Sequence, residues 1–157
     1  MPKTNIKNID LQSLKERLAE HGLKATSQRL IIYQELLRRN DHPTAEIILE
    51  RIRPHHPSVS LATVYKTMEA LVAAGLAKKV KTGDDILRFD AKTETHNHIY
   101  CTNTNQIIDF EDAELENMLG RYFAQTRFSN FKVSDFQLQV NGEIMNKEKK
   151  ITLKQSK

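Results

Sequence analysis

Cysteine is almost missing from this sequence: its 157 residues hold one, Cys101. A single thiol excludes an intramolecular disulfide framework, and it excludes any four-cysteine zinc site built within one chain. Long apolar runs are missing as well. No stretch approaches the roughly 20 residues needed to span a bilayer, so neither a membrane protein nor a membrane partner is expected. The opening MPKTNIKNID has no apolar core and no small-residue cleavage site, which argues against a secretory leader and for a cytoplasmic location.

What is present is a globular composition, 39% apolar and 28% charged, with its charge unevenly spread. Residues 1–88 carry fifteen Lys and Arg against ten Asp and Glu, residues 89–146 four against nine, and residues 147–157 five against one. A basic region followed by an acidic one predicts two small domains, of which the first faces a polyanion. The basic tail 147–157 is expected to be mobile.

Periodicity and end signals predict four helices in the first domain. Leu11, Leu14 and Leu18 stand at helical spacing ahead of Gly22, a residue suited to a helix C-terminus. Thr26 is placed to cap a helix over 27–39 with Leu30, Ile31, Tyr33, Leu36 and Leu37 inward. Thr44 is placed to cap 45–53 with Ile47, Ile48, Leu49 and Ile52 buried, and Pro54 and Pro57 stop that helix. Ser58 or Ser60 caps a fourth, with Leu61, Val64, Met68, Leu71 and Val72 inward and Gly75 at its end. Two β-prone runs around Thr82-Gly83-Asp84-Asp85 then predict a hairpin. Helix, turn, helix and hairpin outline a winged helix whose fourth helix enters a DNA groove. Beyond it, strand-like HNHIYC, QIIDFED and FKVSDFQLQV surround the helical DAELENMLGRYFAQ, with Leu115, Met118, Leu119, Tyr122 and Phe123 as its apolar face. The fold class expected is α+β: a winged-helix DNA-binding domain over 1–88, then a small β-β-α-β domain over 89–146.

His96 and His98 are the sharpest chemical signal, because residues i and i+2 of a strand project to one side and two imidazoles can converge on one ion. The alternative is a pair of exposed strand residues. Asp90 near the domain junction, Asp109 in the next strand and His42 between two helices strengthen the ligand reading. Imidazoles with carboxylates suit Fe(II), Mn(II) or Zn(II). Lys78, Lys79 and Lys81 serve either as phosphate contacts or as a solvated strand edge. A helix presenting Ser60, Thr63, Tyr65 and Lys66 favours the former, since such groups bond phosphates and reach base edges. His21, His55 and His56 read as surface residues, and Cys101 as a buried small residue.

These stretches resemble the ferric uptake regulator family, and within it the peroxide-sensing repressors. The resemblance runs through GLKATSQR (22–29), DHPTAE (41–46), SVSLATVYKTM (58–68), GLAK (75–78), LRFD (87–90), HNHIYC (96–101) and IIDF (107–110), about residues 11–140 in all. It implies a homodimer on a pseudo-palindromic double-stranded operator, with one domain for DNA and one for dimerisation and metal sensing. It further implies that His42, Asp90, His96, His98 and Asp109 hold a regulatory Fe(II) or Mn(II), with Zn(II) a substitute in purified protein. An ion held by both domains would set the spacing of two reading helices. Tyr65 and Lys66 match major-groove contacts, and Lys24 matches a residue near the minor groove.

Two departures from the family stand out. Its two C-x-x-C pairs, which hold a structural zinc, are replaced by Cys101-Thr102-Asn103-Thr104 and Ile144-Met145-Asn146-Lys147, so no structural four-cysteine zinc is expected. Asp135 stands where iron sensors often carry a histidine. Asp109 resembles the fifth ligand of peroxide sensors, where iron sensors usually carry Glu. The resemblance therefore implies that Fe(II) reacts with hydrogen peroxide, that His42 or His96 is oxidised, and that metal and DNA are released, whereas Mn(II) resists peroxide. The alternatives are an iron- or manganese-responsive repressor, a constitutive DNA-binding protein, and a non-haem iron enzyme built on the histidines and a carboxylate. The reading chosen is a repressor and not an enzyme.

Overall fold

Three helices of the N-terminal unit start on a hydroxyl that accepts a backbone N–H in the first turn. These are α2 (Ser27–Leu37), α3 (Ala45–Ile52) and α4 (Leu61–Ala73), which follow α1 (Leu11–Glu20). Thr26 accepts from Arg29 N at 3.3 Å, Thr44 from Ile47 N at 3.3 Å and Ser60 from Thr63 N at 3.1 Å. Each cap contributes about 1 kcal/mol. Gly22 and Gly75 end α1 and α4 at φ +74°. At Gly75 the C-terminal turn closes with Gly75 N donating to Val72 O at 3.0 Å and Leu76 N to Leu71 O at 2.9 Å. No atom lies within 4 Å of where a Cβ would sit, so the left-handed φ, and not lack of room, requires glycine there.

The computed structural model describes residues 10–125 and 128–152. The chain divides into two compact units, residues 1–94 and 95–157. In the first, Leu14, Leu18, Ile32, Tyr33, Leu36, Ile48, Val64, Met68, Leu71 and Phe89 are fully buried in one apolar cluster. Ile32 takes the inward place expected of Ile31, and Ile31, Ile47, Leu61 and Val72 are only half-buried. A helix of 3.6 residues per turn gives Tyr33 and Leu36 an inward face that Ile32 shares and Ile31 flanks. Antiparallel β1 (Lys78–Lys81) and β2 (Leu87–Asp90) form the hairpin, with Lys78 opposite Asp90 and Lys79 opposite Phe89. This unit is a winged helix. Phe89 and Asp90 belong to it, so the division falls later in the chain than the expected 88/89 boundary.

In the second unit β3 (Asn97–Cys101) is flanked by β4 (Gln106–Phe110), antiparallel, and by β5 (Gln139–Gly142), parallel. Helix α5 (Ala113–Gln125) lies in the crossover that a parallel pair needs. Asp112 caps α5, accepting from Glu114 N at 3.0 Å and Leu115 N at 3.1 Å. The strand expected over 131–140 is largely irregular, and regular pairing starts only at Gln139. The Leu138 N–H is taken at 3.1 Å by the Asn97 side chain and not by a neighbouring strand. None of α5 is buried: Leu115, Leu119 and Phe123 are half-buried, while Met118 and Tyr122 are exposed. Cys101 is buried, as expected.

The turn after β3 and the segment after β5 are joined by hydrogen bonds. Asn103 donates through Nδ2 to Ile144 O and accepts at Oδ1 from Ile144 N, both at 3.1 Å. Beside it Thr102 N donates to Gly142 O at 2.8 Å. The tail expected to be mobile lies partly outside the described residues.

Candidate functional site

His42 follows α2 in a short loop and is 2% exposed, with φ at 49°. A left-handed φ in a non-glycine residue costs on the order of 1–3 kcal/mol and persists only where the surroundings impose it. Two ties impose it here. Before His42, Arg39 grips the Asp41 carboxylate with two guanidinium nitrogens, Nε at 2.8 Å from Oδ1, and ion-pairs with Glu35 at 3.8 Å. The Arg39 hydrogen bond holds the Asp41 carboxyl below the usual carboxylate range. After His42, Pro43 O accepts from Phe89 N at 3.0 Å and binds the loop to β2. The imidazole Nε2 then stands 3.3 Å from Asp90 Oδ2, while Asp90 Oδ1 accepts from Lys92 N at 2.8 Å. One imidazole and one oriented, buried carboxylate therefore face each other within the first unit.

The second unit builds its own donor group on β3 and β4. The register sets His98 directly opposite Asp109. His96 lies one residue before β3, and its ring centroid is 4.6 Å from that of His98. Nε2 of His96 is 3.2 Å and Nε2 of His98 3.5 Å from the same atom, Asp109 Oδ1, and the three side chains are 8%, 6% and 13% exposed. All three offer a donor atom within 4.8 Å of the others. Burying a carboxylate this deeply is costly without compensating charge or donors. Two imidazoles and a carboxylate converging by nitrogen and oxygen fit a borderline divalent ion such as Fe(II), Mn(II) or Zn(II), as does the His42–Asp90 pair.

The residues singled out for DNA are all in the first unit. Lys24 and Lys66 are exposed. Ser60 and Thr63 share a hydroxyl contact of 2.9 Å at the start of α4. Tyr65 donates its hydroxyl to Glu46 Oε1 at 2.7 Å, a bond that raises the Tyr65 pKa and lowers that of Glu46. The three β1 lysines do not act as one group. Lys79 and Lys81 are exposed, and Lys79 pairs with Glu69 at 2.8 Å, whereas Lys78 is half-buried across from Asp90. Alternation along a strand separates them by face. His21 and His55 are exposed and His56 is half-buried. The sequence assigns no site role to Arg39, Glu46, Asn103 or Gln137. Only Arg39, two residues from an aspartate in a polar loop, carries a local signal.

Comparison with known proteins bears on most of the chain. A family model, the ferric uptake regulator family, matches residues 20–141. The chain is 30% identical over 142 residues, 86% of its length and 94% of the relative's, to the peroxide-responsive repressor PerR of Staphylococcus aureus. The ferric uptake regulator from Pseudomonas aeruginosa with manganese aligns at a TM-score of 0.69 and 28% identity over 84% of this chain and 98% of that one. The Helicobacter pylori ferric uptake regulator Fur, at 23% identity and a TM-score of 0.74 over 92% and 97%, shows the shared fold. Members of the matched family are metal-responsive, DNA-binding transcriptional regulators, not enzymes. With its winged helix, its small sheet unit and a family match over most of its length, this chain belongs to the ferric uptake regulator family.

Proposed function

We propose that this metal-responsive repressor senses hydrogen peroxide. The observation that carries the reading is Asp109, a carboxylate set against both His96 and His98 where the resemblance gives peroxide sensors Asp and iron sensors Glu. The similarity to a peroxide-responsive repressor supports it. In this reading the donors of both units, His42 and Asp90 with His96, His98 and Asp109, serve one Fe(II) or Mn(II), and their joint ligation favours the shape in which a homodimer spans two operator half-sites. Lys24, Ser60, Thr63, Tyr65, Lys66 and the β1 lysines Lys78, Lys79 and Lys81 meet the DNA. Ferrous iron held by the donors of both units would supply the reductant that splits hydrogen peroxide, with one oxygen ending on an imidazole carbon of His42 or His96 in place of its hydrogen and the other leaving as water. The oxidised ring is a poorer donor, so the residues that shared the ion no longer hold the units in register and the operator is released.

Operator affinity of Fe(II)- and Mn(II)-loaded protein before and after micromolar peroxide tests this, with peptide mass spectrometry of His42 and His96. Loss confined to the iron form, with one added oxygen on either residue, is expected. Equal persistence with both metals identifies an iron- or manganese-responsive regulator, the second reading, which the likeness to a regulator solved with manganese favours. Affinity indifferent to chelators removes metal control altogether.

A further inference from the structure

Gln137 precedes β5 and sends its side chain back to the donor strand. Its Nε2 lies 3.0 Å from His96 O and 3.2 Å from His98 Nδ1. A backbone carbonyl only accepts, so the atom beside it is the amide nitrogen, and the orientation of the amide is settled by that contact. Two amide hydrogens serve two acceptors, and His98 Nδ1 is the second. A ring nitrogen that accepts carries no proton. In the metal-free protein the neutral His98 ring therefore carries its hydrogen on Nε2, the atom 3.5 Å from Asp109 Oδ1. The main chain around this contact is fixed on both sides, with His98 N donating to Leu138 O at 2.9 Å and Leu138 N donating to Asn97 Oδ1 at 3.1 Å. Gln137 thus meets the ring from a rigid base.

We propose that Gln137 is a positioning residue for His98: it holds the ring by Nδ1 so that Nε2 faces Asp109, and it turns its amide over when Nε2 becomes a metal ligand. This rests on the reading of His98 as a ligand. Ligation through Nε2 moves the hydrogen to Nδ1, which then donates and needs an acceptor. Rotation of the Gln137 amide by half a turn supplies Oε1 as that acceptor and gives up the bond to His96 O. Glutamine alone among the uncharged side chains of this length offers both roles from one position. The residue fixes the ring in both states, and it ties metal capture at His98 to the main chain of His96, the adjacent ligand.

The test uses the full chain with Gln137→Leu, which keeps bulk and removes both roles, and Gln137→Glu, which only accepts. Nitrogen-15 spectra of the histidine ring at about pH 8.5, above the ordinary imidazole pKa of about 6.5, read the tautomer directly, with Zn(II) as the diamagnetic metal. The wild type is expected to show Nε2–H without metal and Nδ1–H with it. Gln137→Leu loses the metal-free preference, and Gln137→Glu shows Nδ1–H even without metal. Mn(II) affinity, measured against a competing chelator, falls about 10- to 100-fold in Gln137→Leu, the range for outer-shell partners, and recovers in Gln137→Glu. An unchanged His98 tautomer, or wild-type Mn(II) affinity in Gln137→Leu, overturns the proposal. His98→Ala separates the two levels. If it binds Mn(II) as tightly as the wild type, the ligand reading itself fails. If it loses binding while Gln137→Leu does not, only the positioning role fails.

Discussion

The N-terminal unit buries an aromatic or large aliphatic side chain from every one of its helices and from β2, and its largest core residues, Tyr33 and Phe89, have no exposed surface. The C-terminal unit buries the apolar side chains of Tyr100, Cys101 and Ile107 within a three-stranded sheet, Tyr100 and Ile107 on one face and Cys101 on the other, and its helix α5 buries nothing. Met118, Tyr122, Phe128, Phe131 and Val140 stand exposed there. The first unit has the core of a self-sufficient small domain. The second exposes apolar side chains of the kind that an interface covers, in a family whose members are dimeric. A deletion inside each unit should therefore be felt differently. Phe89→Ala, which removes a fully buried ring, should cost about 3–5 kcal/mol and lower the melting transition at any protein concentration. Loss of less than about 1 kcal/mol in a urea melt would show that Phe89 does not anchor this core, and a melting transition that moves with protein concentration would show that this unit too depends on a partner.

Tyr122→Ala addresses the other half of the contrast. Tyr122 is 60% exposed in the single chain, so its removal should leave monomer stability nearly unchanged. If the α5 face is the dimer interface, an aromatic anchor there contributes about 2 kcal/mol, and dissociation should strengthen about 30-fold. Sedimentation equilibrium reads this directly, and an unaltered dimer constant would assign the interface elsewhere. The melting temperature of the second unit should in turn depend on protein concentration, as the first unit's should not.

The same contrast governs what the sequence reveals. Thr26, Thr44, Ser60, Gly22 and Gly75 act within a few residues of themselves, and each appears where its local chemistry places it. The H-x-H spacing likewise projects His96 and His98 to one side, and pairing in the next strand brings Asp109 opposite. His42 is another matter. A residue before proline is normally extended, yet His42 has a positive φ because Arg39, Asp41 and Phe89 fix the loop around it. Gln137 and Asn103 are equally illegible, since each acts on residues about forty positions away through main-chain partners that no side-chain pattern announces. The parallel placement of β5 is a long-range choice of the same kind.

Asn103 gives the comparison its third test. Its paired hydrogen bonds to Ile144 tie the β3–β4 turn to the chain after β5. Asn103→Ala removes both bonds at an exposed position, and the second unit should lose about 1–2 kcal/mol. Amide exchange at Ile144 should rise while exchange in α2 and α4 stays as it was. Equal protection at Ile144 in the variant would mean that the sheet alone holds this segment.

The smallest effect lies on α4. The Tyr65 hydroxyl donates to Glu46 and lowers its pKa. A carboxylate whose folded pKa is depressed stabilises the fold above its unfolded pKa, and that contribution is lost as pH falls through the folded value. Both partners meet solvent, so screening keeps the contribution well below 1 kcal/mol. Tyr65→Phe should thus be slightly less stable than wild type at neutral pH, and the difference should vanish once acid protonates Glu46. Operator affinity separates structure from recognition at the same residue. If the hydroxyl leaves Glu46 to meet DNA, Tyr65→Phe weakens operator binding while Glu46→Gln, which frees the hydroxyl from a charged partner and removes a negative charge near the phosphates, strengthens it. If both variants bind as the wild type does, Tyr65 serves only to brace α3 against α4, and recognition passes to Lys66 and the exposed lysines of β1.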